Sequence, residues 1–281
     1  MDAGQSVWIR SIAQALLPAS DPVLQPTSGG SSSTVWRVDA GKERYALRVR
    51  PLCELDAVER EAAGMRGGRE AGIPAPEVLR IQAVGEWACL LTTWCPGQTL
   101  VEALRSGSDP DLLGCACGRL QARLNLAPPP PGFAPGDGWL RTTREEDAVL
   151  APVRDGMALR LLHLDFHPLN ILVDGHVATG VVDWVNASAG DPRQDLARSL
   201  AVLRLVLERE PVPGDSSAVV AALDRAWLRG YEEVAGHPAA LDRFLVWAGL
   251  RTVRDLAGKV SPTTLDAMRA AVDAWAACLA D

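Results

Sequence analysis

The chain has 281 residues, enough for one large globule or two lobes with a core each, and it is 48% hydrophobic and 22% charged. A net charge of −7 argues against general nucleic-acid binding, and no apolar run is long enough to span a membrane. The N-terminus shows no basic region followed by an apolar core, so the expected location is cytoplasmic. The six cysteines (Cys53, Cys89, Cys95, Cys115, Cys117 and Cys278) form no C-x-x-C pair, and buried free thiols in a reducing compartment are expected. Lysine occurs only at Lys42 and Lys259.

Trp8, Ile9, Ile12 and Leu16 recur at helical spacing over residues 7–17, and Pro18 ends that pattern. A glycine and serine turn follows, Thr27 to Thr34. Adjacent Gly29 and Gly30 let the backbone bend close to a ligand, and free amides with the hydroxyls of Ser31, Ser32 and Ser33 could donate to phosphate oxygens. An ordinary hairpin loop explains the turn equally well. Residues 35–38 and 45–49 predict two strands around a turn at Ala40-Gly41-Lys42. Ala46, Arg48 and Arg50 then share one face of the second strand, while Tyr45, Leu47 and Val49 share the other. A charged helix is predicted from Glu54 to about Arg69, in which Glu59 or Glu61 could pair with a strand cation. Two more strands are predicted at 78–81 and 87–93.

Trp94-Cys95-Pro96-Gly97 breaks the strand pattern and predicts a hinge. Helices dominate beyond it, beginning with a good candidate at 112–126. A proline-rich surface loop then runs from Pro128 to about Gly138. The predicted organisation is α+β and bilobal: a small β-rich N-lobe (1–93), a hinge (94–97) and a larger helical C-lobe (98–281).

The most informative stretch is His163-Leu164-Asp165-Phe166-His167-Pro168-Leu169-Asn170-Ile171-Leu172-Val173. Asn170 opens one apolar strand, Asp174-Gly175-His176 supplies a turn, and Asp183 follows the return strand. Such a hairpin carries Asn170 and Asp183 to a common edge as hard oxygen ligands, with Asp165 one loop away. Phosphoryl transfer on a magnesium nucleotide needs this set: one carboxylate near the attacking hydroxyl and two oxygens for the metal. A rival reading takes His163, Asp165 and His167 as ligands of a metal-dependent hydrolase, although Pro168 interrupts the extended strand that alternate ligands require.

These motifs resemble the aminoglycoside phosphotransferase family, small-molecule kinases with a protein-kinase-like fold. HLDFHPLNILV is similar to its catalytic loop, and GVVDW to its metal segment. GDPRQDLA (190–197) is similar to the start of its next helix, and REAAGMRGGREAGIPAPEVL (60–79) to its regulatory-type helix with the Pro-x-Pro segment. The resemblance implies an enzyme using ATP and Mg²⁺, with Asp165 as catalytic base and Asn170 and Asp183 as metal ligands. It implies that Arg48, where the family carries lysine or arginine, holds phosphates with Glu61 as its partner. Gly29, Gly30 and Ser31 to Ser33 would cover the phosphates, and Thr93, Trp94 and Cys95 would serve the adenine edge. His163 and Asp195 would brace the catalytic loop. The implied partner is a small-molecule hydroxyl acceptor (an aminoglycoside, choline-like amine, macrolide or sugar) that can be cationic, with no nucleic acid and no membrane. Arg48 in place of the commoner lysine, and a turn without a full G-x-G-x-x-G, leave a nucleotide-binding module without catalysis as the alternative. Too few residues separate Asp183 from Asp195 for a protein kinase's activation segment. Trp227 and Tyr231, one helical turn apart, are read as core.

Overall fold

The computed structural model describes residues 3–18, 20–27, 35–135, 140–153, 158–206 and 216–279. The glycine and serine turn, including Gly29, Gly30, Ser31, Ser32 and Ser33, lies outside them. Helix α1 (Ala3–Leu16) precedes a five-stranded antiparallel sheet of β1 (Val23–Pro26), β2 (Val35–Ala40), β3 (Glu43–Pro51), β4 (Val78–Val84) and β5 (Trp87–Thr93). The strand order is β1-β2-β3-β5-β4. Helix α2 (Leu55–Glu70) is interposed between β3 and β4.

Strand alternation decides what each sheet face does. Leu47, Cys89 and Leu91 point to one side and bury against Ile9, Ile12 and Leu16 of α1. Each such aliphatic side chain removed from water contributes about 1.5–3 kcal/mol, which is why a polar-surfaced helix stays on this sheet. Trp8 stacks on Trp87 at the start of β5, with ring centroids 4.8 Å apart. The opposite face carries Ala46, Arg48, Leu90 and Thr92 and looks into a cleft.

Past residue 97 the chain is mainly helical: α3 (Leu100–Arg105), α4 (Pro110–Leu126), α5 (Arg144–Leu150), α6 (Pro192–Leu205), α7 (Ser216–Ala235), α8 (Leu241–Leu256) and α9 (Pro262–Ala277). Short strands interrupt the helices. β6 (Gln98–Thr99), β8 (Ile171–Asp174) and β9 (Val177–Val181) make one small sheet, and β7 (Arg160–Leu162) pairs with β10 (Ser188–Gly190) in another. Capping explains several helix starts. Thr99, Thr143 and Asp191 each form a reciprocal capping box, and Pro110, Pro192 and Pro262 sit where a missing N–H costs nothing. Trp227 and Tyr231 are core, as their helical spacing suggests.

All six thiols are free, and two of them depart from the expected burial. Cys89 and Cys117 are buried, Cys95 and Cys115 are partly so, and Cys53 and Cys278 are exposed. Cys53 lies in a 3-10 turn with no buried residue, and Cys278 sits at the end of α9, so neither meets a core. No helix among the described residues is long and apolar enough to cross a membrane.

Helix α2 owes its position to a glycine. A Cβ on Gly68 would overlap the Trp184 ring, so glycine lets the helix backbone rest on the indole. Gly68→Ala brings a helix-propensity gain of about 1 kcal/mol and an overpacking cost of about 1–3 kcal/mol. The clash is with a buried ring that has no room to retreat, so overpacking wins. A lowered urea midpoint, equivalent to up to about 2 kcal/mol, is the expected result.

Candidate active site

The segment between β7 and β8 is a tight polar loop over residues 163–170. Leu164 adopts a left-handed conformation (φ 61°), which costs a bulky residue about 1–2 kcal/mol and needs external bracing. Asp195 of α6 provides it: its fully buried carboxylate accepts the Leu164 N–H at 2.5 Å and the Asn125 Nδ2 at 2.8 Å. Ser199, one turn on, donates its hydroxyl to the Phe166 carbonyl at 2.6 Å and accepts from Gln121 at 2.8 Å. Gln121 in turn accepts from the Trp227 indole at 2.8 Å. The loop is therefore tied to α4, α6 and α7 before any ligand arrives.

His163 is buried, and its Nδ1 accepts the Asp165 N–H at 3.3 Å. That bond requires an unprotonated Nδ1, and burial lowers the imidazole's proton affinity in the same sense. The ring lies edge-on against Trp184, with centroids 4.6 Å apart. This geometry removes the metal-hydrolase reading. His163 faces the interior, and among the described residues no group of three His, Cys, Asp or Glu side chains could hold a metal ion.

Asp165 has a partner on each oxygen. Oδ2 accepts from Asn170 Nδ2 at 3.2 Å, and Oδ1 lies 3.3 Å from His167 Nε2 and 4.0 Å from Arg198 Nη2. Burial pushes its proton affinity up, but the facing His167 and Arg198 more than offset this and hold the carboxyl at about 2. Asn170 also donates to the Asp165 carbonyl at 3.0 Å, which orients its Nδ2 and leaves Oδ1 with no hydrogen bond among the described residues. The Asn170 carbonyl accepts the Val182 N–H at 2.9 Å, so the turn between β8 and β9 brings Asp183 back beside Asn170. Asp183 itself is left-handed (φ 65°), a conformation aspartate tolerates better than most residues.

Arg48 spans two acids. Its Nη2 donates to Asp183 Oδ1 at 3.0 Å, and its Nη1 lies 3.4 Å from Glu61 Oε1. Glu61 is only 1% exposed, and desolvation raises its proton affinity against the opposing pull of Arg48. Glu59 is exposed, so Glu61 is the partner. A planar fork can bridge two carboxylates in this way where an ammonium is a single point charge. Arg50, on the same strand face, pairs instead with Glu54 at 2.9 Å.

These groups line one cleft of about 580 Å³, which also includes Thr93, Trp94 and Cys95. The Thr93 and Trp94 N–H groups are engaged, by the Glu77 carbonyl at 3.0 Å and the Arg44 carbonyl at 3.2 Å. The Cys95 N–H has no such partner among the described residues. Thr27 and Val35, which flank the glycine and serine turn, also line the cleft. Arg198, Ser199, Gln121 and Asn125 were not singled out from the sequence. A polar residue recurring inside the apolar faces of α4 and α6 is the signal that marks them.

Comparison with known proteins agrees with this geometry. The profile of the phosphotransferase enzyme family matches residues 23–156 and 136–237. No curated protein sequence matches. Among solved structures, aminoglycoside phosphotransferase APH(4)-Ia is 18% identical with a TM-score of 0.68, covering 96% of this chain and 98% of that one. An aminoglycoside-3'-phosphotransferase of type VIII is 21% identical with a TM-score of 0.63, covering 86% and 98%. Macrolide 2'-phosphotransferase MphH from Brachybacterium faecium is 18% identical with a TM-score of 0.57, covering 94% and 97%. At these identities the likeness speaks for the fold, and the profile match over most of the chain speaks for descent. The chain belongs to the phosphotransferase enzyme family and is a small-molecule kinase with a protein-kinase-like fold.

Proposed function

We propose that the protein transfers the γ-phosphate of ATP, with Mg²⁺, to a hydroxyl group of a small molecule. The observation that carries this reading is the meeting of Asp165, Asn170 and Asp183 with the Arg48–Glu61 pair at one cleft. The reading assigns residues 1–93 to nucleotide binding, 94–97 to a connecting hinge and 98–281 to catalysis and acceptor binding. Cys95 offers its free N–H to the base edge. The reading gives Gly29, Gly30 and Ser31 to Ser33 the role of covering the phosphates, and Arg48 that of neutralising them while Glu61 keeps it in place.

The donor set suits magnesium. Asn170 Oδ1 and the Asp183 carboxylate are hard oxygens, and Mg²⁺ commonly takes one or two such protein ligands together with phosphate and water. When bound, the ion would neutralise charge on the transferring phosphoryl group. Asp165 stays ionised at neutral pH because its neighbours stabilise the anion. It therefore orients the acceptor hydroxyl and takes its proton late, as the bond to phosphorus forms. Arg48 supplies positive charge in a site that need not reorganise during the reaction.

A thermostable mutant of APH(4)-Ia has been crystallised as a ternary complex with AMP-PNP and hygromycin B. An aminoglycoside is accordingly one acceptor class to test, beside choline-like amines, macrolides and sugars. The experiment is ADP release from Mg·ATP across these classes. One class should raise the rate well above hydrolysis by water, and EDTA should abolish it. Tight ATP binding with no acceptor-dependent ADP release from any class would return the non-catalytic reading.

A further inference from the structure

We propose that Arg198 is a positioning residue for phosphoryl transfer, orienting the Asp165 carboxylate through an ion pair that α8 holds in place. The inference rests on the reading of Asp165 as the group that meets the attacking hydroxyl.

Asp195, Arg198 and Ser199 are spaced i, i+3 and i+4 on α6 and therefore share one helix face. That face addresses three consecutive loop residues. Asp195 takes the Leu164 N–H, and Ser199 donates to the Phe166 carbonyl. Between them, Arg198 Nη2 stands 4.0 Å from Asp165 Oδ1. The two flanking contacts from α6 grip backbone, whereas Arg198 reaches the side chain that the chemistry uses. A carboxylate can rotate about its last bond, and rotation changes which lone pair meets the hydroxyl. Asn170 holds Oδ2, while His167 and Arg198 hold Oδ1, so the group is fixed from both ends.

The Arg198 side chain is only 12% exposed. Burying a guanidinium is costly unless charge and hydrogen bonds compensate, and a leucine or methionine would fill the same space more cheaply. The compensation comes from the catalytic loop and from α8. Arg198 Nη1 donates to Thr252 Oγ1 at 2.5 Å, and Nη2 lies 3.8 Å from Asp255 Oδ2. Thr252 is itself anchored, donating to the Ala248 carbonyl at 2.7 Å. The guanidinium is thus aimed at Asp165 by a helix that makes no direct contribution to the nucleotide cleft.

The test compares Arg198→Met, Arg198→Lys, Thr252→Val and Asp165→Asn. ADP release from Mg·ATP is measured with the best acceptor of the panel, or with water where none exceeds it, alongside ATP affinity and thermal midpoint. Arg198→Met should lower kcat about 10–100-fold, the scale expected for a misoriented reacting group, with KM for ATP unchanged within about twofold. Arg198→Lys restores the charge without the planar fork and should recover part of that loss. Thr252→Val, which removes the hydroxyl and keeps the shape, should lower kcat several-fold with KM for ATP unchanged within about twofold, and its midpoint should fall modestly because a buried guanidinium N–H loses its acceptor. The inference stands only if both the lysine recovery and the Thr252→Val loss are seen. Where Arg198→Met fails to fold, Thr252→Val decides alone. Asp165→Asn separates the two levels. Inactive Asp165→Asn beside fully active Thr252→Val and Arg198→Met overturns the role of Arg198 only, whereas active Asp165→Asn overturns the assignment of Asp165 itself.

Discussion

Replacing Asp165 with asparagine is expected to lower kcat by about three orders of magnitude while leaving ATP affinity within about twofold of the wild type. General-base groups contribute about 10²–10⁴-fold, and the substitution removes the proton acceptor while keeping the side chain's size. Selectivity for kcat follows from the contacts. Asp165 touches Asn170, His167 and Arg198, and none of the residues proposed to meet the base or the phosphates. An asparagine Oδ1 can still accept from Asn170 Nδ2, while its Nδ2 takes the place of the oxygen that faces His167 and Arg198. Calorimetric ATP titration and single-turnover kinetics check the two halves separately. Turnover within about threefold of the wild type would remove Asp165 as the base, since even a weak base contributes more than that.

Much of this site is legible in the sequence because it is local. Asn170 and Asp183 are joined by a short hairpin whose turn residues and apolar runs announce it, and the observed β8 and β9 fall where the pattern puts them. Arg48 and Ala46 share a strand face by alternation, and that face is the one lining the cleft. The choice between Glu59 and Glu61 is open in a charge pattern alone. It closes once Val58, Ala62 and Met65 are seen as the buried stripe of α2, because Glu61 lies on that stripe. Strands β1, β6, β7 and β10 have two to four residues each. They are too short for a period of two to stand out, and β6, β7 and β10 take pairing partners remote in sequence. The seat of Gly68 on Trp184 and the reach of Arg198 to α8 are illegible for a related reason. Each joins residues far apart in the chain, and nothing local in either segment names its partner.

The largest effect on stability is expected at Asp195, which touches no part of the cleft. Its two carboxylate oxygens satisfy a buried backbone N–H on Leu164 and a buried amide on Asn125. Asp195→Ala leaves the Leu164 N–H unpaired and Asn125 Nδ2 with only its longer bond to the Leu161 carbonyl, at about 1–3 kcal/mol each, and releases Leu164 from the brace that holds its left-handed backbone. A loss of about 3–4 kcal/mol is expected, a large share of the 5–15 kcal/mol that a native protein has. Asp195→Asn should fall between the two. Its Oδ1 can still accept from Leu164, but its Nδ2 then faces the Asn125 Nδ2, donor against donor. Asn125 cannot turn over freely, since Nδ2 also reaches the Leu161 carbonyl at 3.3 Å and Oδ1 faces the Tyr231 hydroxyl at 3.4 Å. Urea midpoints give the order wild type, asparagine, alanine, and amide exchange at Leu164 reports the loop directly. Exchange should accelerate in the alanine variant even in urea-free buffer, because the donor has lost its acceptor. An alanine variant within about 1 kcal/mol of the wild type would show that the loop is held by packing of Phe166 and Trp184, and that the buried carboxylate is incidental.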